Sequence, residues 1–115
     1  EKVVAPPFHC QFGLGVPGAL SGEIDSLVFL SRYLPPESSW GVAGIGRYEL
    51  PLATHAILMG GHVRVGLEDN INYAKGQPAK SNAQLVERIV RLAKELGREI
   101  ATPQAARKIL GISNQ

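Results

Sequence analysis

Apolar residues alternate with polar or small ones along "PFHCQFGLGV" (7–16), where Phe8, Cys10, Phe12, Leu14 and Val16 share one parity. A period of two predicts a strand with one buried face. The period then lengthens. In "SGEIDSLVFLSRYLPP" (21–36), Ile24, Leu27, Val28 and Leu34 have helical spacing, Ser21 is a candidate N-cap and Pro35-Pro36 stops the helix. "SWGVAGIG" (39–46) predicts a second strand. "RYELPLATHAILMGG" (47–61) predicts a second helix, with Pro51 in its first turn, Leu52, Ala56, Ile57 and Met59 on its apolar side, and Gly60-Gly61 at its end. "HVRVGLED" (62–69) predicts a third strand, and "NINYAKGQPAK" (70–80) a loop. "SNAQLVERIVRLAKELG" (81–97) carries the clearest helical pattern. Ser81 and Gln84 suit a capping box, Leu85, Ile89, Leu92, Ala93 and Leu96 form the stripe, and Gly97 falls at C′. Thr102-Pro103 caps a last short helix that ends near Leu110-Gly111.

The order is β-α-β-α-β-α followed by a short helix, which implies parallel strands joined by crossover helices. Three parallel strands alone leave two unpaired edges and one uncovered sheet face. A closed eight-unit barrel needs about 250 residues. The pattern therefore predicts an α/β fold corresponding to the last three-eighths of a TIM (β/α)8 barrel. A small open α/β domain is the competing arrangement.

Composition narrows the function classes. With 44% hydrophobic and 19% charged residues, the 115-residue chain is globular. A net charge of +2 gives no argument for nucleic acid or an anionic membrane as partner. The basic residues near the C-terminal end interleave with acids, as on a solvated helix face. No apolar run approaches the ~20 residues of a membrane span. The opening "EKVVAPPF" lacks the long apolar stretch of a signal peptide. Cys10 is the lone cysteine, so no internal disulfide forms; it suits a small core position and a reducing, cytoplasmic setting. The first residue is Glu1 rather than Met, and the natural beginning is expected to lie upstream.

Several stretches offer chemistry. "GLGVPG" (13–18) matches G-x-G-x-x-G, but Pro17 and the delayed cap at Ser21 break the tight turn a pyrophosphate needs, so a glycine-rich βα loop is preferred. "GVAGIGR" (41–47) ends in Arg47, which either binds phosphate, as loops after late barrel strands do, or pairs with a local acid. His9, His55 and His62 have no metal-site spacing and are expected to be structural. "HVRVGLEDN" is different. It places Arg64 and Glu68 on one parity of a strand and Asp69 at its C-terminal end, where a barrel keeps its chemistry. Glu68 can ligate a divalent metal, Asp69 can act as general base, and Arg64 can hold a substrate carboxylate or orient Asp69. A structural Arg–Glu bridge is the alternative.

"GGHVRVGLEDN" and "KGQPAKSNAQLVERIVRLAKELGREIATPQAARKILG" closely resemble the C-terminal end of the β-keto acid cleavage enzymes, the 3-keto-5-aminohexanoate cleavage enzyme family. "FGLGVPGA" and "WGVAGIGRYELPLATHAILMGG" resemble the segments before it, so the resemblance covers essentially the whole chain. It implies a Zn²⁺-binding TIM barrel that cleaves a β-keto acid with acetyl-CoA as co-substrate, giving acetoacetate and a new CoA thioester. It implies Glu68 as the zinc ligand, and Arg64 and Asp69 as the catalytic pair, with Asp69 the base that Arg64 orients. The family's remaining zinc ligands form a His-x-His motif that this sequence lacks; His9, His55 and His62 do not match it. The expectation is that residues 1–115 are strands six to eight of a single TIM-barrel domain, with the N-terminal barrel half outside the chain, in a protein that is a homo-oligomer. The alternative is a non-catalytic half-barrel that functions only on assembly with another chain.

Overall fold

The period-two segments pair as expected. In the computed structural model, which describes residues 7–112, β1 (Phe8–Leu14), β2 (Ser38–Gly44) and β3 (His62–Arg64) form a parallel sheet in the order β1-β2-β3. The register sets Phe12 beside Val42 and Val42 beside Val63; one position earlier, Gln11, Gly41 and His62 align. Alternation then separates two faces. Cys10, Phe12, Leu14, Trp40, Val42 and Val63 join Leu27 of α1 (Ile24–Ser31) and Leu52 and Ala56 of α2 (Glu49–Met59) in the core. The opposite face carries His9, Gln11, Ser39, Gly41, Ala43, His62 and Arg64.

The helix ends follow local chemistry. Gly60 closes α2 at φ +89°, a backbone angle that costs glycine little. Ser81 caps α3 (Asn82–Glu95), its hydroxyl accepting from the Gln84 N–H at 3.1 Å. The Gln84 side chain reaches back one residue further than a standard capping box, to the Lys80 N–H at 2.8 Å. Past Gly97, the Arg98 N–H returns to the Ala93 carbonyl at 2.8 Å, completing a Schellman closure. Thr102 caps α4 (Pro103–Leu110) through the Ala105 N–H at 3.1 Å, and Pro103 opens it.

Four expectations need correction. α1 is shorter than 21–36. Ser21 does not cap it but accepts from the Glu23 N–H at 3.0 Å ahead of the helix. It stops at Ser31 because Pro35 offers no N–H to the Ser31 carbonyl and crowds it. The second helix begins as a 3-10 turn, Gly46–Tyr48, before α2 proper. The third strand ends at Arg64 instead of running to residue 69. The expected loop 70–80 contains an antiparallel pair, β4 (Asn72–Ala74) and β5 (Gln77–Pro78). No helix among the described residues is long and apolar enough to cross a membrane.

Candidate active site

The chain leaves the sheet at Arg64 and turns sharply. The Gly66 carbonyl accepts from the Asp69 and Asn70 N–H groups at 3.1 and 3.0 Å. This swings Asp69 back onto Arg64. The guanidinium donates through Nε to Asp69 Oδ2 at 3.0 Å and through Nη2 to Oδ1 at 2.7 Å, a bidentate pair. The Asp69 side chain is 3% exposed, the Arg64 side chain 51%. The hydrogen bonds and charge of Asp69, with a smaller contribution from Glu68, push the Arg64 guanidinium above its ordinary range. Its positive charge is therefore permanent.

Glu68 is not on the strand. Its carboxylate meets Arg64 Nη2 at 3.6 Å across the turn and is 88% exposed. The expected shared strand face of Arg64 and Glu68 is thus replaced by a turn that gathers all three charges, and only Asp69 is buried. The bridge between Arg64 and Glu68 is long and solvated, so it contributes little.

Residues outside this segment hold the turn. Glu49, 1% exposed at the start of α2, accepts from the Gly66 N–H at 3.3 Å and from Asn70 Nδ2 at 3.1 Å. Asn82 of α3 accepts from the Leu67 N–H at 2.7 Å, and the Gly46 N–H donates to the Asp69 carbonyl at 2.8 Å. Arg88 lies 3.9 Å from Glu49, stacks on the Tyr73 ring at 4.0 Å and donates to the Tyr73 carbonyl. Burial pushes the Glu49 carboxyl up, while the Asn70 and Gly66 hydrogen bonds and the Arg88 charge pull it back part of the way. Gly44 makes this possible: a Cβ there would lie 2.8 Å from Glu49 Cα. The sequence reading missed Glu49, Asn70, Asn82 and Arg88. A signal existed for two of them. Glu49 continues the buried stripe Leu52-Ala53-Ala56 at helical spacing, and Arg88 sits between Leu85 and Leu92.

The other candidates lie elsewhere. Arg47 donates to the Tyr48 hydroxyl at 2.7 Å and stacks over that ring at 4.6 Å. Among the described residues no carboxylate pairs with it. His9 bonds Ser39 Oγ at 2.8 Å and approaches Gln11 at 3.4 Å. His55 Nδ1 lies 2.9 Å from the Pro51 carbonyl oxygen. His62 opens β3 at the end away from Asp69; burial first, then Arg98 and His9, hold its imidazole below the ordinary range. Among the described residues no three His, Cys, Asp or Glu groups converge as a metal cage. Glu68 remains an open carboxylate able to give a cation one ligand.

Residues 1–112 match the sequence model of the family described as beta-keto acid cleavage enzyme. The chain belongs to that family. It is 54% identical over 110 residues to a 3-keto-5-aminohexanoate cleavage enzyme of Acetoanaerobium sticklandii, covering 96% of this chain and 40% of that protein. The same name attaches to a Fusobacterium nucleatum relative, 56% identical over 112 residues, with 97% and 40% covered. A 3-oxoadipate:acetyl-CoA acetyltransferase of Cupriavidus necator is 41% identical over 107 residues, with 90% and 38% covered. The chain thus spans about 40% of the length of the curated β-keto acid cleavage relatives it matches.

Proposed function

We propose that this chain forms strands six to eight of a TIM barrel in a β-keto acid cleavage enzyme, and that its Arg64–Glu68–Asp69 turn carries part of the active site. The whole protein would take a β-keto acid and acetyl-CoA and return acetoacetate and a new CoA thioester. The observation that carries this reading is the bidentate pairing of buried Asp69 with half-exposed Arg64 where a parallel strand ends. Barrel enzymes place their reacting groups at that end of their strands. The relatives' names supply the substrate classes.

The chain's residues divide the work. Arg64 fixes the orientation of Asp69 and presents its remaining, solvent-facing guanidinium edge to developing negative charge. Asp69 accepts a proton from the substrate enol or its acetyl adduct. Glu68, exposed and weakly paired, would give Zn²⁺ one ligand, with a His-x-His pair from outside this chain supplying others. Bound zinc polarises a keto oxygen. Glu49, Asn70 and Asn82 keep the turn from relaxing.

The test is Asp69→Asn in the full-length enzyme, assayed in steady state with a β-keto acid and acetyl-CoA. The amide keeps the shape and removes the base, so turnover should fall at least ~10²-fold, the usual contribution of a positioned base. Activity within a few-fold of the parent would remove Asp69 from the chemistry.

A further inference from the structure

The largest opening beside the Arg64–Asp69 turn is a cleft of about 810 Å³ between the 3-10 turn at Gly46–Tyr48 and the β4–β5 hairpin. We propose that this cleft holds the phosphate-bearing portion of the acyl-CoA co-substrate, with Arg47 and Lys75 as its cations. The proposal rests on the function argued above, which names acetyl-CoA as co-substrate without placing it.

Three features point to this ligand class. First, the cleft is lined by two cations, Arg47 and Lys75, that form no salt bridge among the described residues, while Glu68 and Asp69 at its border answer to Arg64. Arg47 has one nitrogen engaged by the Tyr48 hydroxyl, and its guanidinium carbon lies 4.6 Å from the centroid of that ring. Its other donors meet no acceptor among the described residues. A planar guanidinium with free donors suits bidentate phosphate binding. Lys75 sits at the hairpin tip beside Gly76, which turns the chain at φ +75°, and pairs with no described carboxylate. Arg88 also borders the cleft but is committed to Glu49 and Tyr73. Second, the same cleft has apolar surface. Leu50, Pro51 and Ile71 border the cleft, and Ile71 is 67% exposed. A pantetheine arm has the amphipathic character to lie there. Third, the cleft is continuous with Glu68 and Asp69. A thioester whose phosphates rest on Arg47 and Lys75 would therefore lie in a cleft that the Glu68–Asp69 turn borders.

The full-length enzyme and its Arg47→Ala/Lys75→Ala double variant decide the matter. The Michaelis constant for acetyl-CoA should rise about 10–100-fold, the loss expected for two charged hydrogen-bond partners. That for the β-keto acid should move less than about twofold, since the residues face the other substrate. S-acetylpantetheine, which lacks the phosphates, should react with parent and variant at similar kcat/KM; this also shows that the variant folds. An unchanged constant for acetyl-CoA overturns the proposal, as does a rise confined to the β-keto acid, which would make Arg47 a substrate-carboxylate anchor. Calorimetric titration with CoA separates the two levels of argument. A parent that binds CoA yet turns over no β-keto acid removes the proposed activity alone, and the weaker binding of the double variant still scores the cleft. A parent that does not bind CoA removes both.

Discussion

Arg64 and Asp69 are unequal partners: one is half in solvent, the other sealed. Truncating Arg64 therefore leaves a buried carboxylate without its two charged donors. Arg64→Ala should destabilise the full-length protein by about 1–3 kcal/mol, the range for an abandoned buried acceptor. Arg64→Lys should not restore it, because an ammonium is a point charge and cannot make two parallel bonds. Glu68→Gln should change stability by less than ~0.5 kcal/mol, as expected of a solvated pair. If Glu68 is a zinc ligand, the same variant should lose zinc, since a neutral amide oxygen is the poorer donor. Chemical denaturation measures the first three effects and metal analysis the fourth; full zinc occupancy in Glu68→Gln would overturn the ligand assignment. These three residues were legible in the sequence because charges interrupted an apolar strand pattern. Glu49 and Arg88 were harder to read. Each appears only as one charge on an apolar helical stripe, and neither helix pattern alone reveals that the two meet.

Where β3 ends is decided by other elements. Val63, Val65 and Leu67 continue the alternation past Arg64, so the strand reads on to residue 69. The structure ends it because Glu49 of α2 takes the Gly66 N–H and Asn82 of α3 takes the Leu67 N–H. Those partners lie 17 and 15 residues away, beyond what periodicity can report. The hairpin 72–78 was unreadable for the same reason: its Tyr73 is anchored by Arg88 of α3. The caps at Ser81 and Thr102 are local, and they were read correctly. Glu49→Gln tests this division. An amide keeps the shape but sets its NH₂ against one of two donors, Gly66 N–H or Asn70 Nδ2. Stability should fall by about 1–3 kcal/mol near neutral pH. The pH dependence has a definite sign. The folded Glu49 carboxyl lies above the ordinary 4.5, so the folded state holds its proton more tightly. That favours folding below 4.5 and is lost as pH rises through the higher folded value. Parent stability relative to Glu49→Gln should therefore decline with rising pH across that window. Paired denaturation curves check it, and a difference that grows with pH would contradict the burial argument.

At the scale of the molecule, the β-α alternation correctly gave a parallel three-stranded sheet, and the sheet is strongly asymmetric. Helices α1 and α2 cover one face, while the other carries His9 and Gln11 in the open. β1 and β3 each pair only with β2 among the described residues. Beyond the outer edge of β3 lies a groove of about 490 Å³, bordered by Val65 and by Val86, Ile89 and Val90 of α3. Unpaired strand edges next to apolar surface are templates for association. A polypeptide of these 115 residues alone would bury that groove and those edges only against another molecule. It should therefore sediment as concentration-dependent oligomers and unfold without a sharp transition. Replacing Val90 with Lys would place a charge in the groove and should shift the distribution toward smaller species, since burying an unpaired ammonium is costly. Sedimentation velocity over a range of concentrations, with and without that substitution, makes the measurement. A compact monomer with cooperative unfolding at all concentrations would mean that the exposed edge and polar face are stable as they stand, and would favour the small open α/β arrangement over three-eighths of a barrel.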